Sequence, residues 1–121
     1  MKILVVDDSK AMRMIVKRNL AQVQGIGTLE VTEAENGAHA LATIEEQGEP
    51  DLVVSDWNMP DMNGLELLQA LRAQGSAVPF GFVTSESQAS MREHAIAAGA
   101  LFVLSKPFTA DAFQELLSSV L

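Results

Sequence analysis

Cysteine is absent from this sequence, which excludes a disulfide scaffold, Cys-ligated zinc, iron–sulfur clusters and thiol catalysis. Basic residues are scarce. Eight Lys and Arg stand against sixteen Asp and Glu, a formal net charge of −8. That balance disfavours direct contact with nucleic acid or an anionic membrane surface, both of which attract clustered cations. No apolar run approaches the ~18–20 residues that span a bilayer. The start, Met1-Lys2-Ile3-Leu4-Val5-Val6, carries one charge and an apolar stretch too short for a signal peptide. Cytoplasmic residence without membrane insertion is therefore expected. No linker or low-complexity tract breaks the 121 residues, which are expected to form a single domain over residues 1–121. The start at Met1 and the end after a fifth helix fit a stand-alone protein and equally a domain cut from a longer one. With 48% hydrophobic and 20% charged residues the chain has the composition of a folded globule.

What is present is an alternation. Ile3–Val6, Leu52–Val54, Phe80–Val83 and Leu101–Leu104 are nearly unbroken apolar runs, as strands buried on both faces require. In Leu29–Ala34, Leu29 and Val31 alternate with Glu30 and Thr32, the pattern of a half-exposed edge strand. Between the runs lie helical stripes: Met12, Ile15, Val16, Leu20 and Val23; Ala38, Leu41 and Ile44; Leu65, Leu68 and Leu71; Ala95, Ile96 and Ala98; Phe113, Leu116, Leu117 and Val120. Ser9 is placed to cap the first, and Gly25, Gly48, Gly75 and Gly99 to stop the first four. Five βα units predict an α/β fold with a parallel sheet and helices on both faces. A closed barrel would need about eight units.

In such sheets ligands bind at the carboxyl edge of the strands. There the first strand ends in Asp7-Asp8, the third in Asp56, the fourth in Thr84-Ser85 and the fifth in Lys106-Pro107. Converging carboxylates repel, and a cation relieves them. Oxygen ligands without His or Cys point to Mg²⁺. Asp8 and Asp56 would hold the ion with Asp7 beside it, and the backbone carbonyl of Asn58 is a further candidate oxygen. Lys106 adds a fixed positive charge and Thr84 a hydroxyl donor, a set suited to phosphoryl transfer. Asp56 is the candidate nucleophile, because a carboxylate can attack phosphorus to give an acyl phosphate. Each motif alone has a plainer reading as a cap or turn. Their conjunction at four strand ends is what carries the argument.

Val5-Val6-Asp7-Asp8-Ser9, Ser55-Asp56-Trp57-Asn58-Met59-Pro60 with Gly64, Val83-Thr84-Ser85-Glu86, Ala98-Gly99-Ala100 and Lys106-Pro107-Phe108 closely resemble response-regulator receiver domains. The Asp56–Pro60 stretch resembles most the chemotaxis-type, CheY-like members. The resemblance runs the length of the chain and implies a doubly wound, flavodoxin-like sheet of order 2-1-3-4-5. It implies that Asp56 accepts a phosphoryl group from the phosphohistidine of a sensor histidine kinase or phosphotransfer domain. Asp7, Asp8 and Asp56 would form the Mg²⁺ pocket, with Thr84 and Lys106 on the phosphoryl group. A shift of the surface made by the fourth helix, fifth strand and fifth helix would then control an unidentified output protein. The module would catalyse only its own phosphorylation and dephosphorylation. Ser85 would set access to the pocket, Asn58 and Glu86 would tune hydrolysis of the acyl phosphate at a rate that is not especially slow, and the Lys106–Pro107 peptide would be cis.

The chain departs from the family pattern three residues before the lysine, where an aromatic switch residue is replaced by Val103. Phe102 is adjacent, but strand alternation puts it on the opposite face. The entry to the fourth helix, Ser87-Gln88-Ala89-Ser90-Met91-Arg92, lacks the lysine pair of chemotaxis members, so motor binding is not implied. Gly81 interrupts a central strand without a functional reason, and Gln24–Thr28 lengthens the join before the second strand.

Other features read more plainly. His39 and His94 have no ligand-spaced partner and are expected on solvated helix faces. Lys10, Arg13, Lys17 and Arg18 on the first helix are the one basic concentration. They form either a solvated face or, with the apolar side of that helix, a dock for the phosphotransfer domain. Three other functions fit the residues less well. A haloacid-dehalogenase-type phosphatase needs Asp-x-Asp at the first strand, whereas position 58 is Asn and the first strand ends in adjacent acids. A flavodoxin needs a hydroxyl- and glycine-rich phosphate loop where Asp7-Asp8-Ser9 stands. A receiver used only as a docking scaffold is opposed by intact Asp56, Thr84 and Lys106 and favoured by Val103.

Overall fold

The computed structural model describes residues 1–25, 27–85, 88–106 and 108–120. The alternation read from the sequence is realised as β1 (Lys2–Val6), α1 (Lys10–Ala21), β2 (Glu30–Ala34), α2 (Gly37–Gln47), β3 (Leu52–Ser55), α3 (Gly64–Ala73), β4 (Phe80–Thr84), α4 (Ala89–Ala97), β5 (Phe102–Ser105) and α5 (Ala110–Val120). The strands form one parallel sheet in the order β2-β1-β3-β4-β5. This is the expected doubly wound order, with half-exposed β2 at one edge.

Strand alternation divides the core in two. Leu4, Val6, Val53, Phe80, Phe82 and Val103 face one layer, with Ala40 of α2, Leu67, Leu68 and Leu71 of α3, and Met91 and Ala95 of α4. Ile3, Val5, Leu52, Val54, Val83 and Phe102 face the other, with Val16 and Leu20 of α1 and Phe113 and Leu117 of α5. Because apolar side chains leave β1 and β3 on both sides, both faces must be covered. That need places the helices.

Several helix faces differ in detail from the stripes read in the sequence. In α2 the buried line is Gly37, Ala40 and Thr43, and Ala38 is exposed. At Gly37 a Cβ would lie 2.6 Å from Cγ of Met62, so the missing side chain leaves room for that methionine. In α4, Ile96 is 54% exposed and Met91 takes its place in the core. Leu101 is 47% exposed and lies just before β5. Helix α1 ends at Ala21 on a Gln22 cap, short of Gly25. Gly48, Gly75 and Gly99 follow their helices at positive φ, as a helix stop favours.

Gly81 has a steric reason. It pairs in register with Phe102, and a Cβ at position 81 would sit 2.1 Å from Cζ and 2.2 Å from Cε2 of that ring. The Phe102 ring lies in the space that glycine leaves, on the layer shared with α1 and α5.

Candidate functional site

The ladder extends one residue beyond three strands, and this fixes the main chain of the site. Asp7 N–H donates to Ala34 O at 3.1 Å, Asp56 N–H to Val6 O at 2.8 Å, and Lys106 N–H to Thr84 O at 2.8 Å. The main chain of three functional residues is therefore held by the sheet ladder. The loop after β1 is tightened by Ser9, whose N–H donates to Asp7 Oδ1 at 2.9 Å while its hydroxyl caps α1 through Met12 N–H. Beyond β3 the chain turns back through a Gly64 N–H to Trp57 O bond. It then enters α3 through an Asn63–Glu66 capping box.

Lys106 Nζ bridges the two inner acids, 3.2 Å from Asp7 Oδ2 and 3.3 Å from Asp56 Oδ2. All three side chains are largely buried, with 14% of Lys106, 5% of Asp7 and 12% of Asp56 exposed. Asp56 Oδ1 also accepts from Trp57 N–H at 2.7 Å. Asp8 is exposed at the mouth. One carboxylate oxygen from each of Asp7, Asp8 and Asp56 falls within 4.8 Å of the others. Burial pushes the Asp7 carboxyl above its ordinary value, opposed by the Ser9 N–H and the Lys106 charge and assisted by the neighbouring Asp56.

This donor set suits a hard divalent cation. It offers oxygens alone, two inner carboxylates and one at the surface, and Mg²⁺ takes few protein carboxylates and keeps several waters. One lysine offsets one of three negative charges, so the cluster retains an attraction for a cation.

Thr84 is fully buried at the end of β4, in register with Ser105, and Ser85 beyond it is exposed. Ser85 shares a groove with Lys106, Met12, Ile15 and Phe108. Asn58 is exposed two residues past Asp56. Glu86 and the Lys106–Pro107 peptide lie outside the described residues. Val103 faces Met91 and Ala95 beneath α4, and Phe102 faces the other layer, as alternation requires. His39 and His94 are both exposed on their helices.

The sequence reading quoted Gly64 only as part of a motif, without its contact, and missed the roles of Arg13 and Arg92. Gly64 approaches so closely that a Cβ there would lie 2.2 Å from Asp56 O and 2.6 Å from Phe82 Cε1. A glycine opening a helix after an Asn cap was the signal. Arg13, grouped with a solvated basic face, turns inward. It donates to Asp7 O at 2.6 Å and to Glu33 Oε1 at 3.1 Å, and Lys17 donates to Glu33 Oε2 at 3.2 Å. Burial would raise the Glu33 carboxyl, but the hydrogen bonds from Lys17 and Arg13 outweigh it and hold it below its ordinary value. Arg92 of α4, though exposed, reaches across to β5, donating to Val103 O at 3.1 Å and Ser105 Oγ at 3.2 Å. Nothing in the sequence marks either arginine, because residue type does not record which backbone carbonyl a guanidinium reaches.

Comparison with known proteins adds independent findings. Residues 3–118 match the response regulator receiver domain family. The chain is 37% identical to chemotaxis protein CheY1 of Helicobacter pylori, over all of this chain and 97% of that protein. It is 39% identical to the chemotaxis protein CheY homolog of Campylobacter jejuni, over all of this chain and 92% of that one. Among solved structures, chemotaxis protein CheY4 of Vibrio cholerae superposes with a TM-score of 0.86 at 34% identity, covering 99% of this chain and 98% of that one.

Proposed function

Because the chain belongs to the response regulator receiver domain family, a component of two-component signalling, we propose that Asp56 is its phosphoacceptor. One observation carries the reading. Lys106 bridges Asp7 and Asp56 while Asp8 brings a third carboxylate within 4.8 Å. The phosphodonor is the phosphohistidine of a sensor histidine kinase or phosphotransfer domain. An Asp56 carboxylate oxygen attacks phosphorus, the O–P bond forms as the P–N bond breaks, and the departing imidazole nitrogen takes up a proton from solvent. Water later attacks the same phosphorus, and the Asp56 carboxylate leaves with its electron pair, giving inorganic phosphate.

Asp7, Asp8, Asp56 and the Asn58 carbonyl would hold Mg²⁺, which supplies charge neutralisation for the phosphoryl oxygens. The chain's own groups do the remainder. The Trp57 N–H fixes the Asp56 carboxylate by one oxygen. Lys106 stands 3.3 Å from the other, placed to follow it onto the phosphoryl group. The Thr84 hydroxyl is proposed to donate to a phosphoryl oxygen, Ser85 to leave the entrance open, and Asn58 and Glu86 to govern approach of the hydrolytic water. Such electrostatic positioning supplies most of the catalysis in phosphoryl transfer.

The relatives' names suggest a chemotaxis pathway, and the surface of α4, β5 and α5 is the proposed output face. There Val103 replaces the aromatic, and Arg92 ties α4 to β5 at Val103 O and Ser105 Oγ. No described helix is long and apolar enough to cross a membrane, and a cytoplasmic role beside the kinase is proposed. Incubation with Mg²⁺ and a small acyl phosphate should add the mass of one phosphoryl group to wild type and nothing to Asp56→Asn. No addition to wild type, or equal addition to both, overturns the assignment.

A further inference from the structure

Resting on the cation site proposed above, we infer that Arg13 is a positioning residue for Mg²⁺ binding, acting through the peptide between Asp7 and Asp8. Its side chain is 14% exposed and is held on two sides. Nε donates to Glu33 Oε1 at 3.1 Å, and Nη1 donates to Asp7 O at 2.6 Å. Glu33 is fixed in turn by Lys17. Each main-chain and carboxylate polar atom of Asp7 thereby has a partner: Ala34 O, Arg13, the Ser9 N–H and Lys106.

Asp8 is different. It is exposed, and among the described residues no hydrogen bond holds its side chain. With no side-chain partner among those residues, the one fixed element in its placement is the backbone, which sets the direction of its Cα–Cβ bond and so the positions its rotamers can reach. The Asp7 carbonyl and the Asp8 N–H share one planar peptide, so a guanidinium anchored on that carbonyl sets the plane from which Asp8 departs. Released from Arg13, the plane can turn, and repulsion among three acids within 4.8 Å drives Asp8 outward. Mg²⁺ demands near-octahedral geometry, so its affinity depends on that placement.

Charge alone predicts the opposite. A guanidinium beside an acidic pocket repels a cation, and its removal should tighten binding. Positioning requires that its removal weaken binding, so the sign of the effect decides.

The test is calorimetric titration of the full chain with MgCl₂. Arg13→Ala is expected to raise the Mg²⁺ Kd about tenfold, the lower end for loss of an outer partner of a metal ligand. Arg13→Lys keeps the charge without the two-sided fork and is expected to raise it as well. Glu33→Ala should shift Kd in the same direction, and adding it to Arg13→Ala should change nothing further. An unchanged or lowered Kd in Arg13→Ala overturns the inference, including the case where melting temperature alone falls. It also falls if both single variants shift Kd and the double variant sums them. If wild type itself fails to bind Mg²⁺, the cation site fails and the inference with it. If wild type binds and Arg13→Ala binds equally, only the inference fails.

Discussion

Replacing Gly81 with alanine tests how β4 and β5 are locked together beside the proposed output face. The added Cβ would fall 2.1, 2.2 and 2.5 Å from Cζ, Cε2 and Cε1 of Phe102. The ring is 4% exposed and rigid, so it cannot swing aside as a flexible chain would. Overpacking of this kind costs about 1–3 kcal/mol, and the upper end applies where three ring atoms are struck at once. The loss of glycine's freedom in the unfolded chain returns about 0.4–1 kcal/mol. The net expectation is a destabilisation of about 2 kcal/mol.

In a Phe102→Ala background the same methyl enters vacated space, and only the unfolded-state gain remains. Gly81→Ala should then stabilise by about 0.4–1 kcal/mol. Phe102→Ala alone costs about 3–5 kcal/mol. The assay is urea denaturation of the four proteins followed by Trp57 fluorescence, with stability read from midpoints at constant slope. A change of sign between backgrounds is predicted, a coupling of about 3 kcal/mol. Destabilisation of equal size in both would refute the packing argument. It would also reopen the question of whether Phe102 can turn toward α4 in place of the aromatic that Val103 replaces.

Further expectations follow from the site. Without divalent cation, folded Asp7 keeps its proton to higher pH than the unfolded chain, so stability falls as pH rises from about 3.8 through the raised value. Asp7→Asn should flatten that decline in thermal melts across pH, and an unchanged decline contradicts it. Mg²⁺ at ten times its Kd should stabilise wild type by about 1.4 kcal/mol and Asp7→Asn by much less. Gly64→Ala presses on Asp56 O from 2.2 Å. A shift of about 1 Å there should slow acyl-phosphate labelling about a hundredfold in folded protein, and an unaltered rate would show that Asp56 is not placed by this contact. If Asn58 and Glu86 govern approach of water as proposed, the acyl phosphate should decay without unusual persistence. A phosphoprotein lasting for hours on phosphate-affinity gels would contradict that role.

The five strands and the meeting of Asp7, Asp56 and Lys106 at one edge were legible because each depends on local patterns repeated down the chain, whereas the strand order came from the family resemblance. Apolar runs fixed the strands, and their ends carried the polar groups to one edge. Face assignments were less legible in short helices. Small residues carried the α2 contact, and Met91 displaced Ile96 from the α4 core. The roles of Gly81, Arg13 and Arg92 were not legible at all. A glycine matched to a ring on the neighbouring strand, or an arginine matched to a backbone carbonyl outside its own helix, is a property of the pair in space. Even at six residues' separation, as between Arg13 and Asp7, residue types do not record which carbonyl a guanidinium reaches.

The most direct measurement is the chemical position of the phosphoryl group. After labelling with Mg²⁺ and acyl phosphate, borohydride reduction converts a phosphorylated aspartate to homoserine, which peptide mass spectrometry locates. The account predicts homoserine at position 56 and nowhere else. Homoserine at position 7 or 8, or none at any aspartate, would contradict it.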